Sequence, residues 1–505
     1  QQELGSRVTG CMNCHQVGNR ATREIPGDIL DAADSHLAAW DRRVAMGPMG
    51  SSMASMWGGL GEQRRMFADW TERIAAGEAP TQIPPRPAGI ERNVVVTLWD
   101  WGTQTDGRTD SAASDVRDGT VNADGLVYGV VQPSDILAVL DPVEHRAFNI
   151  DIPSGGPVIQ GQTPESPYWG DDPVWARQSD PRSVAMDGDG RVWLTGRIRA
   201  PGEQPAFCTD SANAFAAHYP LAQATRQVFM YDPETEAFSE IDTCFSADHN
   251  QIGEDERIYY GFNSGLGWID MEIWDETGDA EAAQGWCPGV VDTNQDGVIT
   301  TGWTEPGEAM DPTRDHRIQF GCYSPAANPA DGTVWCSGNG RNQRQLVRLE
   351  LGDNPPESCT AELYEPPPSV MNPGAYGSGG LHLTTEGVAW QDWRGSGHFA
   401  RFDRSQCEDI SGPQADGQGC PEGWTFFRMD KPVYQNAEAF PINSDESYLT
   451  QVDHHDVLGL GRDVPLYGVV NTDSLEVFRP DTEEFVTLRV PYPLGFFSRS
   501  STGRV

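Results

Sequence analysis

Three observations predict the fold class. Apolar residues at helical spacing are confined to about the first 80 positions, a proline-rich break follows them, and a short Asp-Gly phrase then recurs down the chain. Together they predict a multidomain protein, with a small all-α unit followed by an all-β propeller of about seven four-stranded blades. The units are expected at residues 1–80 and 91–505, joined by a linker over 81–90.

The helical unit rests on Ile29, Leu30, Ala33, Leu37 and Trp40, and then on Phe67, Trp70 and Ile74, each set falling on one helix face. Gly77 is a stop signal, and Pro80, Pro84, Pro85 and Pro87 stiffen the linker. Within this unit Cys11-Met12-Asn13-Cys14-His15 has the spacing of a covalent haem attachment sequence. Two thiols three positions apart can add to the two vinyl groups of one porphyrin, and His15 then lies under the iron as proximal ligand. One haem c is expected. Helices flanking such a motif resemble a class I cytochrome c domain. That resemblance implies a methionine as sixth ligand shortly before the last helix. Met46, Met49, Met53, Met56 and Met66 are available, and Met53 is the first choice, with Met49 and Met56 as alternatives. His36 would instead make a bis-histidine haem of lower potential.

Beyond residue 90 the chain reads as short β-rich runs between turns. The recurring phrase is Asp124-Gly125-Leu126-Val127-Tyr128, Asp189-Gly190-Arg191-Val192-Trp193 and Asp331-Gly332-Thr333-Val334-Trp335, with weaker copies at 255–259 and 386–390. A second phrase, centred on Asp141-Pro142, Asp232-Pro233 and Arg479-Pro480, follows some copies. Both are hairpin signals. Spaced about 55 to 75 residues apart, they indicate repeated sheets, and the length divides into about seven. The two phrases together resemble the virginiamycin B lyase-like (streptogramin lyase-like) propellers. The resemblance implies the fold, whereas such phrases recur in propellers of unrelated activity.

Composition narrows the partners. With 75 acidic and 35 basic residues the net charge is −40, and Lys431 is the only lysine. Such a surface repels nucleic acid and anionic membranes, and it suits a basic redox partner protein. Ten cysteines leave eight after the haem pair, an even number without zinc-site spacing, so up to four disulfides are expected. Cys407 with Cys420 closes a short loop, and Cys208 with Cys244 and Cys336 with Cys359 are further candidates. No apolar run approaches the ~20 residues of a membrane span. A periplasmic or secreted location is expected, with Gln1 following a cleavage or trimming point.

Two constellations carry further chemistry. Asp292, Asn294, Asp296 and the carbonyl of Val298 stand at positions 1, 3, 5 and 7 of an EF-hand-type calcium loop, with Gly297 at position 6. Trp303 occupies position 12, so Glu305 is the expected closing ligand. His249, His382 and His455 lie near the ends of predicted inner strands, where they can converge on the central channel as catalytic groups or ligands of an additional transition metal. The streptogramin-lyase resemblance implies a histidine base for elimination. The expected function is an oxidoreductase in which the propeller binds a small-molecule substrate and the haem relays its electrons to a respiratory acceptor. The alternatives are a non-catalytic electron-transfer or docking subunit of a larger complex, and a streptogramin-type lyase with an accessory haem.

Overall fold

The computed structural model describes residues 23–46, 50–79 and, with gaps at several loops, 88–490. The first part is helical: α1 (Gly27–Asp31), α2 (His36–Val44), α3 (Gly50–Gly59) and α4 (Gln63–Ala75). Ser35 caps α2, its hydroxyl accepting the Ala38 N–H at 3.1 Å and satisfying one of the orphan donors of the first turn. Ile29, Trp40, Met46, Trp57, Leu60 and Ala68 form one buried apolar cluster. Phe67 meets Trp40 and Trp57 edge-on, with ring centroids 5.0 and 5.6 Å apart. Each indole N–H in this core finds an acceptor: Trp40 donates to the buried Thr71 hydroxyl at 2.8 Å, and Trp57 to Asp41 at 2.6 Å.

The remainder is a propeller of six blades, not the seven expected. Blade 1 comprises Asp110–Ala112, Val127–Val131, Ile136–Asp141 and Arg146–Asp151; blade 2 comprises Arg182–Met186, Val192–Ile198, Arg226–Asp232 and Ala237–Ile241. Blade 3 comprises Asn250–Ile252, Arg257–Phe262, Gly265–Asp270 and Gln284–Cys287; blade 4 comprises Ser324–Ala327, Val334–Ser337, Leu346–Glu350 and Thr360–Tyr364. Blade 5 comprises Leu381–Leu383, Ala389–Trp393, His398–Phe402 and Trp424–Arg428; blade 6 comprises Ser447–Asp453, Val464–Val469, Ser474–Arg479 and Glu484–Arg489. In each blade the strands run antiparallel from the axis outward in chain order. Dividing the length by a fixed repeat overcounts because insertions lengthen the connections. The largest described one, residues 288–320, adds Val290–Val291 and His316–Arg317 to the outer edge of blade 4.

The Asp-Gly phrase opens the second strand of a blade. Its glycine takes a positive φ, +78° at Gly190, +71° at Gly332 and +82° at Gly387, which a side-chain-free residue adopts without strain. The aromatic that ends the phrase points into the seam between blades: Tyr128, Trp193, Tyr259, Trp335 and Trp390 are all nearly inaccessible. The second phrase turns the third strand into the fourth. There Asp141 and Asp232 accept the N–H two residues on, and His145, Glu236 and Glu483 each occupy the left-handed position.

Five of the six seams are sealed by apolar clusters drawn from neighbouring blades. Close packing is visible at Gly267, where a Cβ would lie 2.7 Å from the Phe245 ring. Between blades 6 and 1 no such cluster occurs among the described residues. Polar contacts act there instead. The segment after the first strand crosses the end of the central channel, and the Val116 carbonyl accepts from His455 Nε2 at 3.1 Å. Arg117 continues to blade 3, donating to the Gly253 carbonyl at 3.0 Å and to Glu256 at 2.6 Å while chelating Asp115.

Disulfides join Cys208 to Cys244, Cys287 to Cys359, Cys322 to Cys336 and Cys407 to Cys420. The expected Cys336–Cys359 pair is therefore corrected. Cys336 lies on the second strand of blade 4, beside the chain entering the first, so Cys322 is its neighbour. Cys359 lies at the outer strand, within reach of the end of blade 3. No helix among the described residues is long and apolar enough to cross a membrane.

Candidate functional site: the central cavity

The innermost strands of all six blades converge on one cavity of about 330 Å³. The strands are short, so their polar ends reach the axis. His249, His382 and His455, singled out in the sequence, all line this cavity, as does His454. The expected set includes His455 but not its chain neighbour His454. The innermost strand of blade 6 ends at Asp453, and the two histidines sit in the turn beyond it.

Each imidazole has a distinct environment. The His382 ring is almost inaccessible, and Gln251 donates its side-chain amide to His382 Nε2 at 2.8 Å. The Gln251 orientation is set by its carbonyl oxygen, which accepts the Ala327 N–H at 2.8 Å. His382 Nε2 is therefore the acceptor nitrogen, and the proton sits on Nδ1. Burial, helped by neighbouring His454, pushes the His382 pKa down to about 3, so this ring stays neutral. Its centroid lies 5.1 Å from that of His454.

His454 Nε2 donates to the Leu383 carbonyl at 2.7 Å, and His455 Nε2 to Val116, as above. That leaves Nδ1 as the nitrogen not committed to a backbone carbonyl in each ring. Asp463 lies 3.9 Å from His454 Nε2. Across the cavity His249 packs edge-on against Tyr323 at 4.2 Å, and the Tyr323 and Tyr448 hydroxyls hydrogen-bond each other. The Arg394 guanidinium covers the Tyr448 ring at 4.8 Å. The cavity lining thus combines His249, the neutral His382 and two imidazoles whose Nε2 atoms are committed to backbone carbonyls, while the Tyr323–Tyr448–Arg394 group packs behind His249. Among the described residues no group of three or more His, Cys, Asp or Glu is arranged to hold a metal ion.

Cys11, Cys14, His15 and Met49 lie outside the described residues. Of the other axial candidates, Met53 is half-buried on α3, whereas Met56 is 39% exposed. His36 Nε2 is engaged by the Thr71 hydroxyl at 3.1 Å. In the 292–305 segment Asp292 and Asn294 accept loop amides, and Glu305 pairs with Arg317 at 2.8 Å and with the Trp303 indole at 2.9 Å.

No protein-family model matches the sequence, and no curated protein matches it. Solved structures do match in fold. Virginiamycin B lyase from Staphylococcus aureus is 11% identical, with 76% of this chain and 85% of that one covered at a TM-score of 0.39. A streptogramin B lyase is 9% identical, covering 77% and 86% at 0.40. The RRP9 WD40 repeats are 8% identical, covering 79% and 84% at 0.41. These likenesses concern the propeller architecture already evident in the strand order.

Proposed function

We propose that this chain is an extracytoplasmic c-type redox protein in which a small molecule held in the propeller cavity gives electrons to a haem on the helical unit. Cys11 and Cys14 would hold the porphyrin, His15 the iron, and Met53 its sixth position. The reading draws support from an apolar helical core around Trp40, Trp57 and Phe67 and from a half-buried thioether at Met53. Recruiting His36 would instead break its bond to Thr71. The bound haem would supply one-electron acceptance.

The observation that carries the substrate half is the cavity itself, walled by all six blades and supplied with two imidazole acceptors. Oxidation of an organic donor releases protons with its electrons, and Nδ1 of His454 and His455 are the groups able to take them. His382 is kept neutral, with Nε2 committed to Gln251, and takes no proton. Four disulfides support an oxidising compartment. The charge of −40 supports a basic protein as the next electron acceptor. The test is stopped-flow haem reduction across a panel of small organic reductants. The double variant His454→Ala/His455→Ala should lose substrate-driven reduction yet keep reduction by dithionite. Equal rates in wild type and variant across the panel would refute the cavity as the electron-entry site.

The same two Nδ1 acceptors also favour a second reading, base-catalysed elimination. It predicts product formation with the haem spectrum unchanged and turnover retained in Cys14→Ala.

A further inference from the structure

The insert at 288–320 carries a feature that the redox reading does not use. Its loop places Asp292, Asn294, Asp296 and the Val298 carbonyl at calcium-ligand spacing, with Gly297 at φ +78° making the sharp turn. Glu305, the expected closing ligand, is committed to Arg317 and Trp303. A different carboxylate faces the loop. Asp315 is wholly inaccessible, and its Oδ2 accepts the Thr300 N–H at 2.9 Å and the Thr300 hydroxyl at 3.3 Å. Its Oδ1 is buried without any hydrogen-bond partner. A buried, unpartnered carboxylate oxygen is costly unless a cation meets it. No cationic side chain does so, because neighbouring Arg314 is turned to the Gly302 and Trp303 carbonyls. Burial raises the Asp315 pKa, and the charged groups that add to this are the loop carboxylates Asp292 and Asp296.

We infer that this loop binds one Ca2+ and that Asp315, not Glu305, supplies the closing carboxylate. The three carboxylates do not surround a single point in this structure, since Asp292 and Asp296 accept loop amides. Binding draws Asp315 Oδ1 and the loop oxygens together. The ion's mechanical role follows from the insert's anchoring. Val290 pairs with Thr360 of blade 4, the Ile299 N–H donates to the Glu357 carbonyl at 2.8 Å, and Cys287 is bonded to Cys359. Asp315 sits where the insert returns, with its carbonyl accepting the Thr304 N–H at 2.8 Å. Calcium therefore fastens the outgoing and returning arms of the insert at the outer edge of blade 4.

The test is calorimetric titration of the EGTA-stripped full chain with calcium chloride, and separately with magnesium chloride. One calcium site is expected, in the range of about 10⁻⁴ to 10⁻³ M found for extracellular modules, with magnesium much weaker. Asp315→Asn keeps the shape and the Thr300 contacts, and should weaken calcium binding by at least about tenfold. Glu305→Gln should leave it within about twofold. Absence of a calcium site in the wild type, unchanged binding in Asp315→Asn, or equal loss in Glu305→Gln would each overturn the inference. Should Asp315→Asn fail to fold by circular dichroism, exposed Asp296→Asn carries the same thresholds, and Glu305→Gln still separates the two closing carboxylates.

Discussion

Replacing Arg117 with alanine tests how the ring closes. The Arg117 side chain is only 12% exposed and its partner Asp115 2%, with a 2.7 Å contact between them, whereas Glu256 is 44% exposed. Removing the guanidinium strands a buried carboxylate, which costs about 3–5 kcal/mol when one member of a buried pair is deleted. The half-exposed Glu256 contact contributes about 0.5 kcal/mol after solvent screening, and the bond to the Gly253 carbonyl about 1 kcal/mol. Part of the Asp115 penalty is relieved by its remaining bond from the Arg117 N–H at 2.8 Å, which the variant keeps. The expected loss is therefore about 3–5 kcal/mol, read as a shift of the urea midpoint followed by tryptophan fluorescence. Asp115→Asn in the Arg117→Met background removes the stranded charge and should recover at least about half of the loss. A cost below about 1 kcal/mol for Arg117→Ala, or no recovery in the double variant, would refute the claim that this buried pair holds the channel strap.

Two further outcomes are expected. Trp335→Ala should cost about 3–5 kcal/mol by thermal unfolding, because the ring is buried at 1% exposure between Tyr364 and Phe402. His398 is inaccessible and burial beside Arg428 lowers its pKa to about 4, so the unfolded chain binds its proton first on acidification. Its stability contribution is present above about pH 6.5 and is lost as the pH falls toward 4, about 3 kcal/mol in all. Unfolding midpoints measured from pH 7 to 4 should fall less steeply in His398→Asn.

The parts of this fold that were legible in the sequence are local ones. The Asp-Gly phrase encodes a left-handed turn residue and a buried aromatic within five positions, so Gly190 with Trp193 and Gly332 with Trp335 announce a blade wherever they occur. The blade count was not legible, because the 288–320 insert adds length without adding a blade. The site shows the same division. His249 and His382 could be placed from their positions ahead of a repeated phrase. Nothing in the sequence separates His454 from His455, and both reach the cavity from the turn beyond Asp453. Gln251, which fixes the His382 tautomer, carries no motif and acts across blades. Asp315 and the Cys322–Cys336 bond depend likewise on which segments a sheet brings together.

The central claim is that the cavity delivers electrons to a haem bound through Cys11 and Cys14. Its most direct test is anaerobic mixing of the haem-loaded, oxidised full chain with the reductant panel, with wild type and His454→Ala/His455→Ala followed side by side at the reduced c-type absorption band. The account predicts that at least one compound reduces the wild-type haem at least about tenfold faster than the variant, with dithionite reducing both alike. A purified chain without covalent haem, or identical rates for every compound, would contradict it.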